Sequence, residues 1–112
     1  MGLPAGTIGN SEVGHITIGA GRVIPQAVTV VGQAIADGSF YDNPVLKKAL
    51  ASVKATSNRL HIMGLCSDAK VHSDIEQLYA YLTAAHTAVI QNILLHLFLD
   101  GRDVAPRSAQ QY

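Results

Sequence analysis

Arg59-Leu60-His61-Ile62-Met63-Gly64-Leu65 and Ile93-Leu94-Leu95-His96-Leu97-Phe98-Leu99 are the two apolar runs that decide the fold. Each has strand length and near-continuous apolar character, which suits strands covered on both faces. Each also runs into a polar loop: Cys66 to His72 after the first, Asp100-Gly101-Arg102-Asp103-Val104 after the second. Between them Ser73 reads as the cap of a helix whose Ile75, Leu78, Tyr79, Leu82 and Ala85 recur at helical spacing and face the sheet. Strand, helix, strand is a βαβ unit with parallel strands and a right-handed crossover, so the fold class is α/β. Ligands gather at the carboxyl ends of such strands. His72, Arg102 and Asp103 are therefore expected at one rim.

Working upstream, Asp42 or Asn43 caps a helix that starts at Pro44 and has Val45, Leu46, Leu50 and Val53 as its apolar side. Gln26 to Ala36 carries Val28, Val31, Ala34 and Ile35 on one helical face, and Gly38 stops it. Arg22 to Pro25 is a connector. Before it, GNSEVGHITIGAG (9–21) is rich in glycine and small residues, as in a tight loop opening into a short helix. Downstream, Pro106 is expected to start another helix.

Composition limits the functions. Eight Lys+Arg balance eight Asp+Glu over 112 residues, with no block of like charge, so nucleic acid and anionic membranes have no electrostatic handle. An anionic small molecule needs only a few local arginines. Gln77 to Leu99 holds no formal charge and has the length of a membrane span. Its polar residues and its midway change from helical to strand pattern favour a helix followed by a buried strand. Cys66, the one cysteine, excludes an internal disulfide and reads as a small buried hydrophobe, which fits a reducing compartment.

Four residues stand out chemically. Ser11 lies at a helix start, where its hydroxyl either caps the helix or faces a phosphate or oxyanion favoured by the helix dipole; position alone favours the cap. Arg102 can grip a carboxylate or phosphate through two parallel hydrogen bonds, and Asp103 can hold that arginine or a substrate hydroxyl; a solvated turn is the plainer reading. His72 can act as an acid or donor, or make only a local hydrogen bond. His15, His61, His86 and His96 read as structural. No His-Glu-x-x-His spacing occurs, so the chain makes no self-contained metal site.

Taken together, Gly9-Asn10-Ser11-Glu12-Val13-Gly14-His15, Gly19-Ala20-Gly21-Arg22, Ser67-Asp68 with Val71-His72-Ser73, and Asp100-Gly101-Arg102-Asp103-Val104 resemble successive motifs of the cofactor-independent (2,3-bisphosphoglycerate-independent) phosphoglycerate mutases. The resemblance spans essentially the whole chain, in order and spacing. It implies a piece of an alkaline-phosphatase-like two-domain enzyme of glycolysis that interconverts 3-phosphoglycerate and 2-phosphoglycerate. Ser11 would be the nucleophile, forming a phosphoserine intermediate, and a ligand of one of two divalent metal ions, usually manganese. His72 would lie near the transferred phosphate, with Arg102 and Asp103 on the glycerate part.

The resemblance also implies a division: residues 1–25 as the nucleophile segment of the metal-binding phosphatase-like domain plus the connector, and 26–112 as the start of the inserted transferase domain. The remaining metal ligands would lie outside this chain, so the 112 residues alone are expected to be inactive. The complete protein is expected to be a cytoplasmic monomer, with no nucleic-acid or membrane partner. A metal-dependent phosphatase or phosphopentomutase of the same superfamily is an alternative, as is a non-catalytic anion-binding remnant. In detail, Asp68-Ala69-Lys70 replaces the family's usual Asp-Gly-Gly, Asp74 stands where a second His is common, Ile8 where Met is usual, and Ala5 where Asp is usual. If Ala69 or Lys70 must take positive φ, its side chain costs strain and can displace His72.

Overall fold

The computed structural model describes residues 2–112. Helix α1 (Ser11–Ala20) is followed by α2 (Ala27–Asp37), a single turn α3 (Ser39–Asp42) and α4 (Pro44–Ala55). Strand β1 (Leu60–Cys66), helix α5 (Ile75–Thr87) and strand β2 (Ile93–Leu99) form the βαβ unit, and a 3-10 turn (Ser108–Gln111) closes the chain. The strands are parallel, in a register from Leu60↔Ile93 to Cys66↔Leu99.

Local chemistry explains the boundaries. Gly21 and Gly38 take left-handed conformations that end α1 and α2, at φ of 62° and 85°. Of the two candidate caps for α4, Asn43 is used: its side chain accepts from the Val45 and Leu46 N–H groups, with Pro44 at the first helical position. Gly2 has φ of 69°, and a Cβ there would lie 2.1 Å from the Ile24 carbonyl oxygen. Its own carbonyl accepts from Gln26 N–H and the Thr29 hydroxyl, so the start of the chain is tied to the start of α2.

The core is small. Leu50 of α4, Ala84 and Ala85 of α5, and Ile90 are buried together, with Tyr41, Leu46, Val53, Leu60, Ala88 and Ile93 packed against them. Alanines at 80, 84 and 85 form the buried stripe of α5 with Ile75, letting the helix approach closely.

Several expectations require correction. β2 is not a buried strand: all its residues after Ile93 are exposed. Met63 and Phe98, which share the sheet face away from the core residues Leu60 and Ile93, are 66% and 60% exposed. A parallel sheet is buried when further strands and helices cover both faces; among the described residues there are two strands and one packed face. The radius of gyration of 16.2 Å exceeds the roughly 13 Å of a compact domain of this length, so the chain does not close around its apolar strands. Asp74, not Ser73, caps α5, through Glu76 N–H. Tyr79 and Val45 are exposed, not core-facing, and Pro106 lies in a turn that leads to the 3-10 segment instead of starting an α-helix.

Candidate functional site

The carboxyl ends of both strands meet at one rim, and hydrogen bonds join them. His72, 65% exposed, and Asp103, 12% exposed, are joined at 2.5 Å between Nδ1 and Oδ2. Beneath them the Ser67 hydroxyl donates to Asp100 Oδ2 at 2.6 Å. Asp100 Oδ1 accepts from Arg102 N–H at 2.9 Å and Asp103 N–H at 3.1 Å, which curls the loop so that the Asp103 carboxylate meets His72. These donors, the Ser67 hydroxyl foremost and then the Arg102 amide, hold the Asp100 carboxyl below its ordinary range against the opposing effect of desolvation. Arg102 is exposed, and its guanidinium has no ion-pair partner among the described residues.

The loop preceding His72 is held at both ends. The Ser73 hydroxyl donates to the Leu65 carbonyl at 2.6 Å, which is what Ser73 does instead of capping α5. The Tyr112 hydroxyl donates to Asp68 at 2.6 Å, and that bond raises the Tyr112 pKa. Lys70 adopts φ of 59°, whereas Ala69 does not enter the positive-φ region. One of the two replaced glycines therefore sits where glycine is favoured.

At the other end of the chain Asn10 caps α1, accepting from Val13 N–H at 3.0 Å. Ser11 is thus not the cap. It is the first helical residue and exposed, with its hydroxyl relieved of any structural duty at the helix end. His15, read from sequence as structural, stands one turn on. Its Nδ1 lies 3.1 Å from Ser11 Oγ and 2.7 Å from the Ser11 carbonyl oxygen, so one tautomer accepts the hydroxyl proton and the other donates to the carbonyl. The four-residue spacing from Ser11 was the available signal.

A cavity of about 380 Å³ connects the two regions. Asn10 and Glu12, the neighbours of Ser11, line it with Val71, His72 and Ser73. Ser11 itself, Arg102 and Asp103 do not line it; Asp103 reaches it through His72. The structure therefore brings His72 and Asp103 into contact, puts Arg102 on the same loop, and faces the segment bearing Ser11 towards His72. Ser67 and Asp100 entered the sequence reading only as members of motif blocks, with no role of their own; a polar residue directly following each apolar strand was their signal.

Comparison with known proteins follows the same segments. A family model described as "BPG-independent PGAM N-terminus" matches residues 31–112. The chain belongs to this phosphoglycerate mutase family. It is 50% identical over 112 residues to the 2,3-bisphosphoglycerate-independent phosphoglycerate mutase of Clostridium beijerinckii, all of this chain and 22% of that protein. To the mutase of the same description from Chloroflexus aurantiacus it is 54% identical over 109 residues, 97% of this chain and 20% of the relative. The chain spans about a fifth of the length of these mutases.

The metal chemistry implied by the mutase resemblance is not satisfied by this segment alone. Among the described residues no three His, Cys, Asp or Glu side chains converge where they could hold a metal ion. Ser11 offers one oxygen donor. His61 and His96 approach to 2.9 Å between Nδ1 and Nε2, with ring planes 16° apart and centroids 5.1 Å apart. That is a nearly in-plane N–H···N hydrogen bond on the exposed sheet face, a two-nitrogen pair that leaves a metal site incomplete. No helix among the described residues is long and apolar enough to cross a membrane.

Proposed function

We propose that these residues form the serine-bearing and glycerate-gripping part of an enzyme that interconverts 3-phosphoglycerate and 2-phosphoglycerate. The observation that carries the reading is the shared cavity: the residues flanking Ser11 face His72, which is tied to Asp103 beside Arg102. An exposed serine released from capping suits a nucleophile, and an unpaired guanidinium suits a carboxylate or phosphate.

In this reading Ser11 Oγ loses its proton and bonds to phosphorus while the bond from phosphorus to the glycerate oxygen breaks and that oxygen takes up a proton. The reverse transfer to the other glycerate hydroxyl completes the isomerisation and regenerates the serine. Arg102 and Asp103 hold the glycerate, Asp103 also orients His72, and His72 donates towards the transferred phosphate. Divalent ions, manganese by the family resemblance, would supply activation of the serine hydroxyl and neutralisation of phosphoryl charge. Of the residues here Ser11 would hold one, and the other ligands would come from outside residues 1–112. The whole enzyme, of alkaline-phosphatase-like two-domain build, acts as a cytoplasmic monomer, and the 112 residues alone have no turnover.

The test is a chimera in which these 112 residues replace the matching stretch of the Clostridium beijerinckii mutase. Conversion of 3-phosphoglycerate to 2-phosphoglycerate, followed by phosphorus NMR, should be retained and should vanish in Ser11→Ala. A folded chimera without turnover, beside an active parent, would overturn the reading.

A further inference from the structure

Ser67 and Asp100 occupy equivalent places in the fold. Each is the residue directly after its strand in the register that ends at Cys66↔Leu99, and each is buried, at 1% and 8% exposure. Their hydrogen bond joins the two strand ends, and their other polar atoms are directed into the loops beyond. Asp100 Oδ1 takes both the Arg102 and Asp103 amides. Ser67 Oγ accepts from Ala69 N–H at 3.3 Å, and the Ser67 carbonyl accepts from Ile75 N–H at 2.9 Å, at the start of α5. Neither residue lines the cavity.

We propose that Ser67 and Asp100 are positioning residues for phosphoglycerate recognition. They fix the turn that carries Arg102 and Asp103, and through the Asp103–His72 bond they fix His72 as well. This rests on the functional reading above. A single buried pair sets three substrate contacts at once, because one carboxylate oxygen reaches across to the end of the first strand while the other gathers two consecutive amides of the second loop. Substrate gripping by a planar guanidinium demands such rigidity, since displacement of a positioning group by about 1 Å can cost on the order of a hundredfold in rate. The exposed tips of both loops have no other polar tie between them than His72–Asp103 among the described residues, so the Ser67–Asp100 bond at the foot of the loops carries the alignment.

The chimera described above, assayed for kcat and KM, separates the possibilities. Asp100→Ala should raise KM for 3-phosphoglycerate about tenfold or more, and Ser67→Ala should raise it by a smaller factor. Asp100→Asn keeps an oxygen for the Arg102 and Asp103 amides and should return KM to within about threefold of the parent chimera. An unchanged KM in Asp100→Ala, with only a lower melting temperature, would make the pair purely structural and overturn the inference. So would an Asp100→Asn variant no better than Asp100→Ala. Should Asp100→Ala fail to fold, Ser67→Ala carries the same readout, and its unchanged KM would also overturn it. Loss of turnover in the unsubstituted chimera would instead strike the functional reading itself.

Discussion

His72 and Asp103 lie thirty-one residues apart in the chain and are joined side chain to side chain across the rim of the two-stranded sheet. The contact exists because parallel strands end on the same side, so two loops separated by a whole helix emerge as neighbours. Asp103 is nearly covered while His72 is mostly exposed, which makes the aspartate the anchor and the histidine the presented group.

Asp103→Asn should therefore weaken substrate binding more than folding. In the chimera, KM for 3-phosphoglycerate is expected to rise about tenfold, in line with one lost charge-assisted hydrogen bond. The melting temperature should move by no more than about 2 °C, since the partner histidine is mostly exposed and the amide keeps an oxygen that can still accept from it. Steady-state kinetics and calorimetry on the same samples check both halves.

The rim itself was legible in the sequence because it needs only two apolar runs, a helical period between them and polar residues at their ends. The strand Ile93–Leu99 and the glycine stop at Gly38 followed from the same local rules, whereas the stop at Gly21 did not come from them. What local rules do not carry is competition between neighbours. Asn10 beside Ser11 and Asp74 beside Ser73 are all competent caps, and the choice depends on which backbone turn places an oxygen over the free N–H groups. Burial of β2 was misread for a different reason: an apolar run reports that a strand needs covering, and cannot say whether these residues contain the cover.

The choice of cap gives a paired prediction. Asn10→Ala should destabilise α1 by about 1 kcal/mol, whereas Ser11→Ala should change stability by less than about 0.5 kcal/mol while removing turnover in the chimera. Denaturant titration of both variants is the check. Equal destabilisation would return Ser11 to a structural role.

Lys70 supplies a test of backbone strain. Its φ of 59° is costly for a residue with a side chain, and its pairing with the buried Asp74, at 3.9 Å, is too long for a hydrogen bond and offsets little. Lys70→Gly should raise stability by about 0.5 kcal/mol after allowing for the added freedom of the unfolded chain. Ala69→Gly, at a position without positive φ, should lower it by a similar amount. Melting curves of the two single variants should move in opposite directions.

The pH dependence of stability should be bounded by two kinds of group. Asp100 and Asp37 have pKa values lowered in the folded state from 3.8, Asp100 by the Ser67 hydroxyl first and Asp37 by Ser39. Their contribution is present above the unfolded value and is lost as pH falls through the folded one. Tyr112 is shifted the other way, raised from 10.0 chiefly by its hydrogen bond to Asp68. Its contribution is present below the unfolded value and is lost as pH rises through the folded one. Stability should therefore fall off below about pH 4 and above about pH 10. Asp100→Asn should flatten the acid limb, and Tyr112→Phe the alkaline limb, in urea titrations across pH.

The uncovered strand predicts the behaviour of the 112 residues by themselves. Met63 and Phe98 project from one face, and Leu95, Leu97 and Leu99 stay exposed on the other at the outer strand. Unpaired backbone groups along that outer strand add a template for edge-to-edge pairing. Contiguous apolar surface of this kind drives self-association, and the neutral net charge supplies no long-range repulsion against it. The isolated chain should sediment as concentration-dependent oligomers, and Phe98→Glu with Leu97→Lys should shift it towards monomer. The lysine interrupts the apolar edge and the glutamate the open face, neither of them in the small core around Leu50 and Ala85. Helical content should therefore survive in circular dichroism while association falls; a wild-type chain that sediments as a monomer at all concentrations would show that the exposed strand is tolerated in water.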